Sequence, residues 1–585
     1  MSKTSKKKPI QSTDNRAQKS SEYWHIGLII FLSFITYSNA LRGSFVWDDE
    51  IQIVKNWQIR DLSHVGSAFS SAFWAFADPE AARTNFYRPV QTLSYMLAYQ
   101  ISGLSAWSYH LVNVLFHTFA SVLIYFLCVE YGISAGAALL AAAIFSVHPI
   151  HSEAVSWNAG TPDVTCGAFY FGSILLFLKY LKSSRGRWLW SAAVSFLTAC
   201  FSKEMAVTLP AVAALIMLAK GRPQQNVFTR LVESLWPFGA AGVVYVGARL
   251  AALGFLSTTH LQIRAGVLDW FTLAMRVLGQ YIHYSLLPYP LTAYHLIPLH
   301  LSDRVPSTLL YTAVVTAAGI GSYMLNRRVR GVAMWGLIFA ITLIPVFNFT
   351  GISLTFFAER YLYIPTMASA MMLGLLLDKS RSIAKNVTVI IVLVFAVLTF
   401  GRNKDWQSDE KLYQSILRVH PEVAHVRNNL ADLYMKRGDD VTARNYLESA
   451  LHYLDSGVYL QAENEKYRAQ VGLGAIAARS EKYAEAKDHL EKALEINPRG
   501  DWAYLYLGGV IMESEGDYPK AMANFQKAIE LGPLNEVARD YMGVALFNLK
   551  KYPEAIRYFQ EALKINPTYK DAETHLGMAA RALAS

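Results

Sequence analysis

The residues in this chain best suited to chemistry are Asp48, Asp49 and Glu50, adjacent carboxylates in the stretch Phe45-Val46-Trp47-Asp48-Asp49-Glu50, directly after the first apolar segment. Crowding acids together, or moving them part-way out of water, raises their pKa values and readies one of them to accept a proton. Asp48 and Asp49 are the candidate catalytic pair, and Glu50 is a neighbour facing water. Near one reacting centre the two aspartates would titrate together, so the base is either of them.

Further polar motifs interrupt otherwise apolar sequence: Tyr87-Arg88-Pro89, His110, His148-Pro149-Ile150-His151-Ser152-Glu153, Lys203-Glu204 and Glu359-Arg360. Arg88, Arg360 and Lys203 are the candidate cations for an anionic group. The two arginines rank first because a guanidinium binds phosphate oxygens in bidentate fashion. Tyr87, His110, His148, His151, Glu153 and Glu359 are expected to line the site. His148 and His151 are three residues apart and could share a helical face as metal ligands. Pro149 lies between them and no cysteine is near, so no metal ligand is assigned. The plainer alternatives are mutually neutralising pairs, Lys203 with Glu204 and Glu359 with Arg360.

The chain that must position these residues has 585 residues, 53% hydrophobic and only 17% charged. This is too apolar for one soluble globule and reads as a membrane protein. The net charge of +10 comes from short basic clusters between apolar runs, a pattern that orients spans and argues against a nucleic-acid partner. Cys128, Cys166 and Cys200 lie in or beside apolar runs without metal-type spacing and read as core residues.

Residues 1–22 form a basic tail, expected to be cytoplasmic, ahead of an uncleaved signal anchor. A transmembrane domain over 23–401 follows, with a long outer loop at 42–109. Lys203 and Glu204 divide one apolar stretch, since a charge at mid-bilayer costs about 2.5–3.5 kcal/mol even on the lenient scale. The basic clusters Lys182 to Arg187, Lys220 to Arg222, Arg327 to Arg330 and Lys379 to Arg381 can all be cytoplasmic if Asp269 to Leu299 lies at the outer interface. That arrangement predicts about 11 spans and a carboxyl end outside. It also brings Asp48-Asp49, His148 to Glu153, Lys203-Glu204, Tyr294-His295 and Glu359-Arg360 to one outer face. Asn348-Phe349-Thr350 is an N-glycosylation pattern on the same side.

A linker at 402–422 leads to a repeat region over 423–585. Tyr483, Tyr518 and Tyr552 head equivalent stretches spaced 35 and 34 residues apart, each closed by a proline (Pro498, Pro533, Pro567). This is the period of tetratricopeptide repeats, about four of them plus a capping helix. Gly474, Gly509 and Gly543, each nine residues before its tyrosine, are the expected close-approach positions. The predicted class is therefore all-α: a polytopic helical domain followed by an α-solenoid whose concave face takes protein or peptide.

In order along almost the whole chain, the motifs resemble those of the transmembrane and tetratricopeptide repeat-containing O-mannosyltransferases, membrane glycosyltransferases of the GT-C fold. The resemblance is carried by Phe45-Val46-Trp47-Asp48-Asp49, Tyr87-Arg88-Pro89-Val90, His110-Leu111-Val112-Asn113 with His117, His148-Pro149 with His151 and Glu153, Ser202-Lys203-Glu204, Glu359-Arg360-Tyr361-Leu362-Tyr363-Ile364-Pro365, and Asn403 with Trp406. One departure is Asn158-Ala159-Gly160-Thr161-Pro162-Asp163, where the family usually places an arginine before the acid.

The resemblance implies transfer of a sugar from polyprenyl-phosphate-mannose, a substrate and not a resident cofactor, to Ser or Thr hydroxyls of exported proteins. It also implies inversion at the sugar carbon, membrane lipid as a partner, and an acceptor protein held by the repeats. A divalent metal is a lesser alternative. The residues suit such chemistry: a hydroxyl is a poor nucleophile and gains from a carboxylate base, while a departing phosphate needs nearby cations. A bacterial inner membrane with a periplasmic site is preferred, the endoplasmic reticulum being the alternative. Competing readings are transfer of a lipid-linked oligosaccharide or of sugar to lipid, and, in a different class, a non-catalytic membrane-tethered repeat scaffold.

Overall fold

The computed structural model describes residues 11–76, 86–220, 226–255, 267–295, 301–347, 357–455, 462–566 and 569–585. The described residues are helical or irregular, with no strand among them. Asn348-Phe349-Thr350, Pro298 and Pro567 lie outside them, as does the start of the basic tail. The chain divides into two compact units, one running to residue 415 and the other from residue 416. The division falls inside the helix Asp409–Val419, within the stretch read from sequence as a linker.

In the first unit, six helices among the described residues are long and apolar enough to cross a membrane: Ser21–Arg42, Ala106–Tyr131, Asn158–Ser183, Val227–Leu253, Val305–Asn326 and Ser382–Gln407. Ala135–Val147 and Pro149–Ser156 form a seventh apolar segment bent by 45°. Shorter apolar helices are Glu204–Ala219, Val332–Phe347 and Pro365–Asp378. The unit is that of a multi-pass integral membrane protein.

The core forms around Ala106–Tyr131, which packs on Gln11–Tyr37, Ala135–Val147 and Thr161–Ser183. Alanines 137, 138, 141, 142 and 143 are all buried, and their small side chains let the neighbouring helices approach closely. The three cysteines are free and buried. The loop after the first span is built from short turns (Trp57–Arg60, Leu62–His64, Val65–Ser70) and the helix Pro89–Ser102. Pro89 stands in the first helical turn, where its missing N–H costs nothing.

Breaks in the helices place polar residues. Gly186–Ser202 ends at Lys203, which is extended (φ −159°, ψ 143°), before a 3-10 turn over Glu204–Thr208. Ala358 is extended likewise (φ −150°, ψ 142°) before the turn Glu359–Leu362.

The second unit is a series of antiparallel helix pairs: Ala424–Lys436 with Asp440–Asp455, Ala462–Arg479 with Tyr483–Ile496, Asp501–Glu515 with Tyr518–Leu531, and Glu536–Asn548 with Tyr552–Ile565, followed by Lys570–Ala584. Within each pair small residues sit at the crossing. A Cβ added to Gly474 would lie 2.7 Å from Leu490, and one added to Gly543 2.5 Å from Phe559.

In the third pair this role falls to Gly508, where an added Cβ would lie 2.6 Å from Phe525. The sequence assigned it to Gly509, where the nearest atom would be Tyr541 at an ordinary 3.5 Å. Counting back from the tyrosine misses by one because this repeat carries one more residue. Gly508→Ala should therefore loosen the third pair by about 1–3 kcal/mol, the usual range for overpacking. The measurement is amide exchange over residues 501–531 of the full-length chain, faster in Gly508→Ala and unchanged in Gly509→Ala.

Candidate active site

The acidic loop is fixed from within by Asp49, which is completely buried. Its Oδ2 accepts hydrogen bonds from the Val46 amide at 3.0 Å and from Asn158 Nδ2 at 3.3 Å. Its Oδ1 accepts one from the Ala159 amide at 2.8 Å. Burial pushes the Asp49 carboxyl up to about 8, and these hydrogen bonds offset part of that rise. Asp49 thus ties the loop to itself and to the turn at Asn158.

Asp48 is different. It is half-buried, and among the described residues nothing hydrogen-bonds its carboxylate. Burial raises its pKa above the ordinary carboxylate range, and the positive charge of Arg360 opposes the rise. Glu50 is exposed, as its sequence position suggested.

Trp47, just before them, adopts a left-handed backbone (φ +54°). For a bulky side chain this costs about 1–2 kcal/mol, so surrounding contacts must hold it. Its ring stacks on Trp157 (5.7 Å, 27°), and Trp157 stacks on the buried Trp406 (5.7 Å, 24°). Arg360 lies 5.4 Å from the Trp157 ring.

Each candidate cation is paired with an acid from a distant part of the chain. Arg88 Nη2 lies 2.8 Å from Glu204 Oε1, and Lys203 Nζ 2.5 Å from Asp163 Oδ1. Arg360 is bound twice by Glu153: its guanidinium Nη1 donates to Oε1, and its amide donates to Oε2 at 2.9 Å. Asp163 lies in the electrostatic range of both Arg88 and Arg360, so the three cations form one cluster. Tyr361 sits within it, its ring 4.8 Å from Lys203 Nζ and 5.1 Å from the Arg360 guanidinium.

The sequence-based pairs Lys203 with Glu204 and Glu359 with Arg360 do not form. Lys203 is extended, so it and Glu204 diverge to different partners. Glu359 instead accepts from the Thr292 amide at 2.5 Å, with His295 Nε2 at 3.4 Å and Arg402 Nη2 at 3.8 Å.

The remaining expected site residues contact neighbouring elements of the first unit. Tyr87 donates to the Phe69 carbonyl at 2.8 Å and packs on Phe201 and Tyr245. His110 Nε2 lies 3.3 Å from Asn158 Nδ2. His148 contacts the Ser285 carbonyl and the Ile150 amide, at 3.2 and 3.3 Å. Both nitrogens of His151 are engaged, by the Phe145 carbonyl at 3.0 Å and Thr366 Oγ1 at 2.9 Å. Among the described residues no group of three His, Cys, Asp or Glu is placed to hold a metal.

Sequence reasoning missed Arg402, which sits at the end of an apolar run and read as the start of a linker. Its side chain is only 8% exposed, with Nη1 2.8 Å from Asp405. Its Nε and Nη2 have no hydrogen-bond partner among the described residues. Asn158 and Trp157 were missed as well. Asn158 opens, and Trp157 directly precedes, the stretch that departs from the family pattern, where Thr161 Oγ1 donates to Asn113 Oδ1 at 2.7 Å and Asp163 takes Lys203.

Residues 89–246 match the family model for dolichyl-phosphate-mannose-protein mannosyltransferase. Residues 375–576 match that for the tetratricopeptide repeat protein 21 C-terminal ARM domain. The chain is 25% identical over 515 residues to "Protein O-mannosyl-transferase tmtc2" of Xenopus laevis, covering 72% of this chain and 61% of that protein. It is 24% identical over 552 residues to "Protein O-mannosyl-transferase TMTC3" of Homo sapiens, covering 85% of this chain and 59% of that protein. With "Protein O-mannosyl-transferase Tmtc2" of Drosophila melanogaster it shares 34% identity over 200 residues, 32% of this chain and 21% of that protein. The chain thus spans roughly 60% of the length of these first two relatives. The resemblance to the O-mannosyltransferases carried by the motifs is borne out, as is an all-α chain with a GT-C-type membrane domain and a helical repeat array.

Because Lys203 and Asp163 are each only 3% exposed, breaking their pair strands a charge. Lys203→Met alone should cost about 3–5 kcal/mol, whereas Lys203→Met with Asp163→Asn should recover much of the loss. The check is the thermal midpoint of the solubilised full-length protein.

Proposed function

We propose that this chain is a protein O-mannosyltransferase, taking a sugar from a polyprenyl-phosphate-linked donor to Ser or Thr hydroxyls of exported proteins, with inversion and with Asp48 as general base. One observation carries the reading. Of the carboxylates at the site (Asp48, Asp49, Glu153, Asp163, Glu204 and Glu359), only Asp48 is not committed to a hydrogen bond or ion pair among the described residues.

In this reading Asp48 removes the proton from the acceptor hydroxyl as its oxygen bonds to the anomeric carbon. The bond from that carbon to the phosphate oxygen breaks, and the phosphate leaves with the electron pair. Negative charge then grows beside Arg360. Its guanidinium has five N–H groups, so pairing with Glu153 leaves donors for phosphate oxygens. Glu153 orients it from the backbone as well as the side chain. Arg88 is the second cation, while Lys203, held by Asp163 and nearly inaccessible, acts through the field of the cluster. Asp49 keeps the loop in shape and transfers no proton.

The repeats recruit the acceptor, and both they and the site face away from the cytoplasm, in the periplasm of a bacterial inner membrane. Supporting this is the distribution of the basic clusters on loops opposite to those carrying the site.

Asp48→Asn should lower transfer from polyprenyl-phosphate-mannose to a Ser/Thr-rich peptide by about 10²–10⁴-fold, the usual contribution of a general base. Asp49→Asn should keep a larger share of the rate and lose stability; unchanged transfer in Asp48→Asn would overturn the assignment. The base must be ionised and burial raises its pKa, so activity should fall on acidification at a pH above the ordinary aspartate value of about 4. A rate profile flat down to that value would count against Asp48.

A further inference from the structure

The left-handed backbone at Trp47 is held from a point 362 residues away. The Trp47 amide donates to Asp409 Oδ1 at 2.7 Å. Asp409 is the first residue of the helix Asp409–Val419, and nothing in its sequence setting marks it. The segment leading to it is wrapped onto the same loop. Ser44 donates to the Gln407 carbonyl through its amide at 3.0 Å and its hydroxyl at 2.9 Å. Gln407 Nε2 reaches the Asn39 carbonyl at 3.0 Å, and Asn403 Nδ2 reaches the Thr36 carbonyl at 2.9 Å. Trp406 closes the stack of indoles behind Trp47.

Asp48 therefore lies between two fixed points. On one side Asp49 is tied to Val46 and Ala159. On the other, the Trp47 amide is tied to Asp409. A carboxylate oxygen is a strong acceptor for that amide, and the bond lies between the sterically disfavoured residue and a helix start that belongs to the same compact unit.

We propose that Asp409 is a positioning residue: by accepting the Trp47 amide it holds the left-handed backbone that orients the Asp48 carboxylate. The proposal rests on Asp48 being the base. What Asp409 supplies to the Trp47 amide is an acceptor oxygen, which an asparagine also carries and an alanine does not. Without the bond, residue 47 relaxes toward the right-handed region, and Asp48 departs from the cation that opposes the rise in its pKa.

The test uses the full-length chain in detergent, with polyprenyl-phosphate-mannose and a Ser/Thr-rich synthetic peptide as probes. Asp409→Ala should lower kcat by about tenfold or more, as small misplacements of reacting groups do, with the KM for donor unchanged. Its acid limb should move to higher pH. Asp409→Asn should stay close to the parent in both. Trp47→Asn, which tolerates the left-handed region, should shrink the further loss caused by Asp409→Ala. Independently of turnover, amide exchange over residues 46–49 should quicken in Asp409→Ala and not in Asp409→Asn.

Equal losses in the alanine and asparagine variants, a loss confined to KM, or unchanged exchange at 46–49 in Asp409→Ala would each overturn the proposal. The two readings fail separately. Full activity in Asp48→Asn removes the base itself, whereas an inactive Asp48→Asn beside a fully active Asp409→Ala removes only the positioning role.

Discussion

An unpaired charge in an apolar interior is the constraint on which this site depends. Stranding one member of a buried pair costs about 3–5 kcal/mol, a large fraction of the stability of a typical domain. Each cation of the cluster accordingly meets an acid supplied by a different element. Arg88, from the start of Pro89–Ser102, takes Glu204; Lys203, from the end of Gly186–Ser202, takes Asp163; Arg360, from the turn Glu359–Leu362, takes Glu153. The pairs tell the helix ends where to meet. Packing of alanines permits the helices to approach, and the ion pairs join the ends that converge.

The same constraint explains why Asp48 is distinctive. In a site where acids are otherwise committed, a carboxylate left half-buried and unbonded is either a cost or an instrument. The cost is limited by the positive charge of Arg360, which is itself anchored by Glu153 and not bonded to Asp48. That combination suits a reaction in which one atom loses a proton while another gains negative charge.

Much of this was legible in the sequence because it is periodic or local. The apolar runs, the 34-residue repeat and the order of the polar motifs follow from composition and spacing. What was not legible is geometry that spacing does not encode. Lys203 and Glu204 are neighbours in sequence, and an extended backbone at Lys203 sends them to different partners. Asp48 and Asp49 are likewise neighbours, and only the fold shows that one is spent on hydrogen bonds. The slip from Gly508 to Gly509 has the same origin: counting assumes that every repeat has the same length, and this one is a residue longer. Arg402 and Asp409 were invisible because they sit in a stretch that reads as connecting chain; the partner of Asp409 lies 362 residues earlier, and Arg402 faces Glu359 on another element as well as Asp405.

The bond between the Trp47 amide and Asp409 also imposes an order on biosynthesis. The acidic loop is among the first parts of the chain to leave the ribosome, yet the residues that brace it, from Asn403 to Asp409, follow nearly all of the apolar helices of the first unit. Until they arrive, the loop lacks the contacts that oppose relaxation at Trp47. A nascent or truncated chain ending before residue 403 would therefore carry every acid of the motif and still lack a finished site. The brace on the acidic loop is completed late, once the membrane unit is nearly complete.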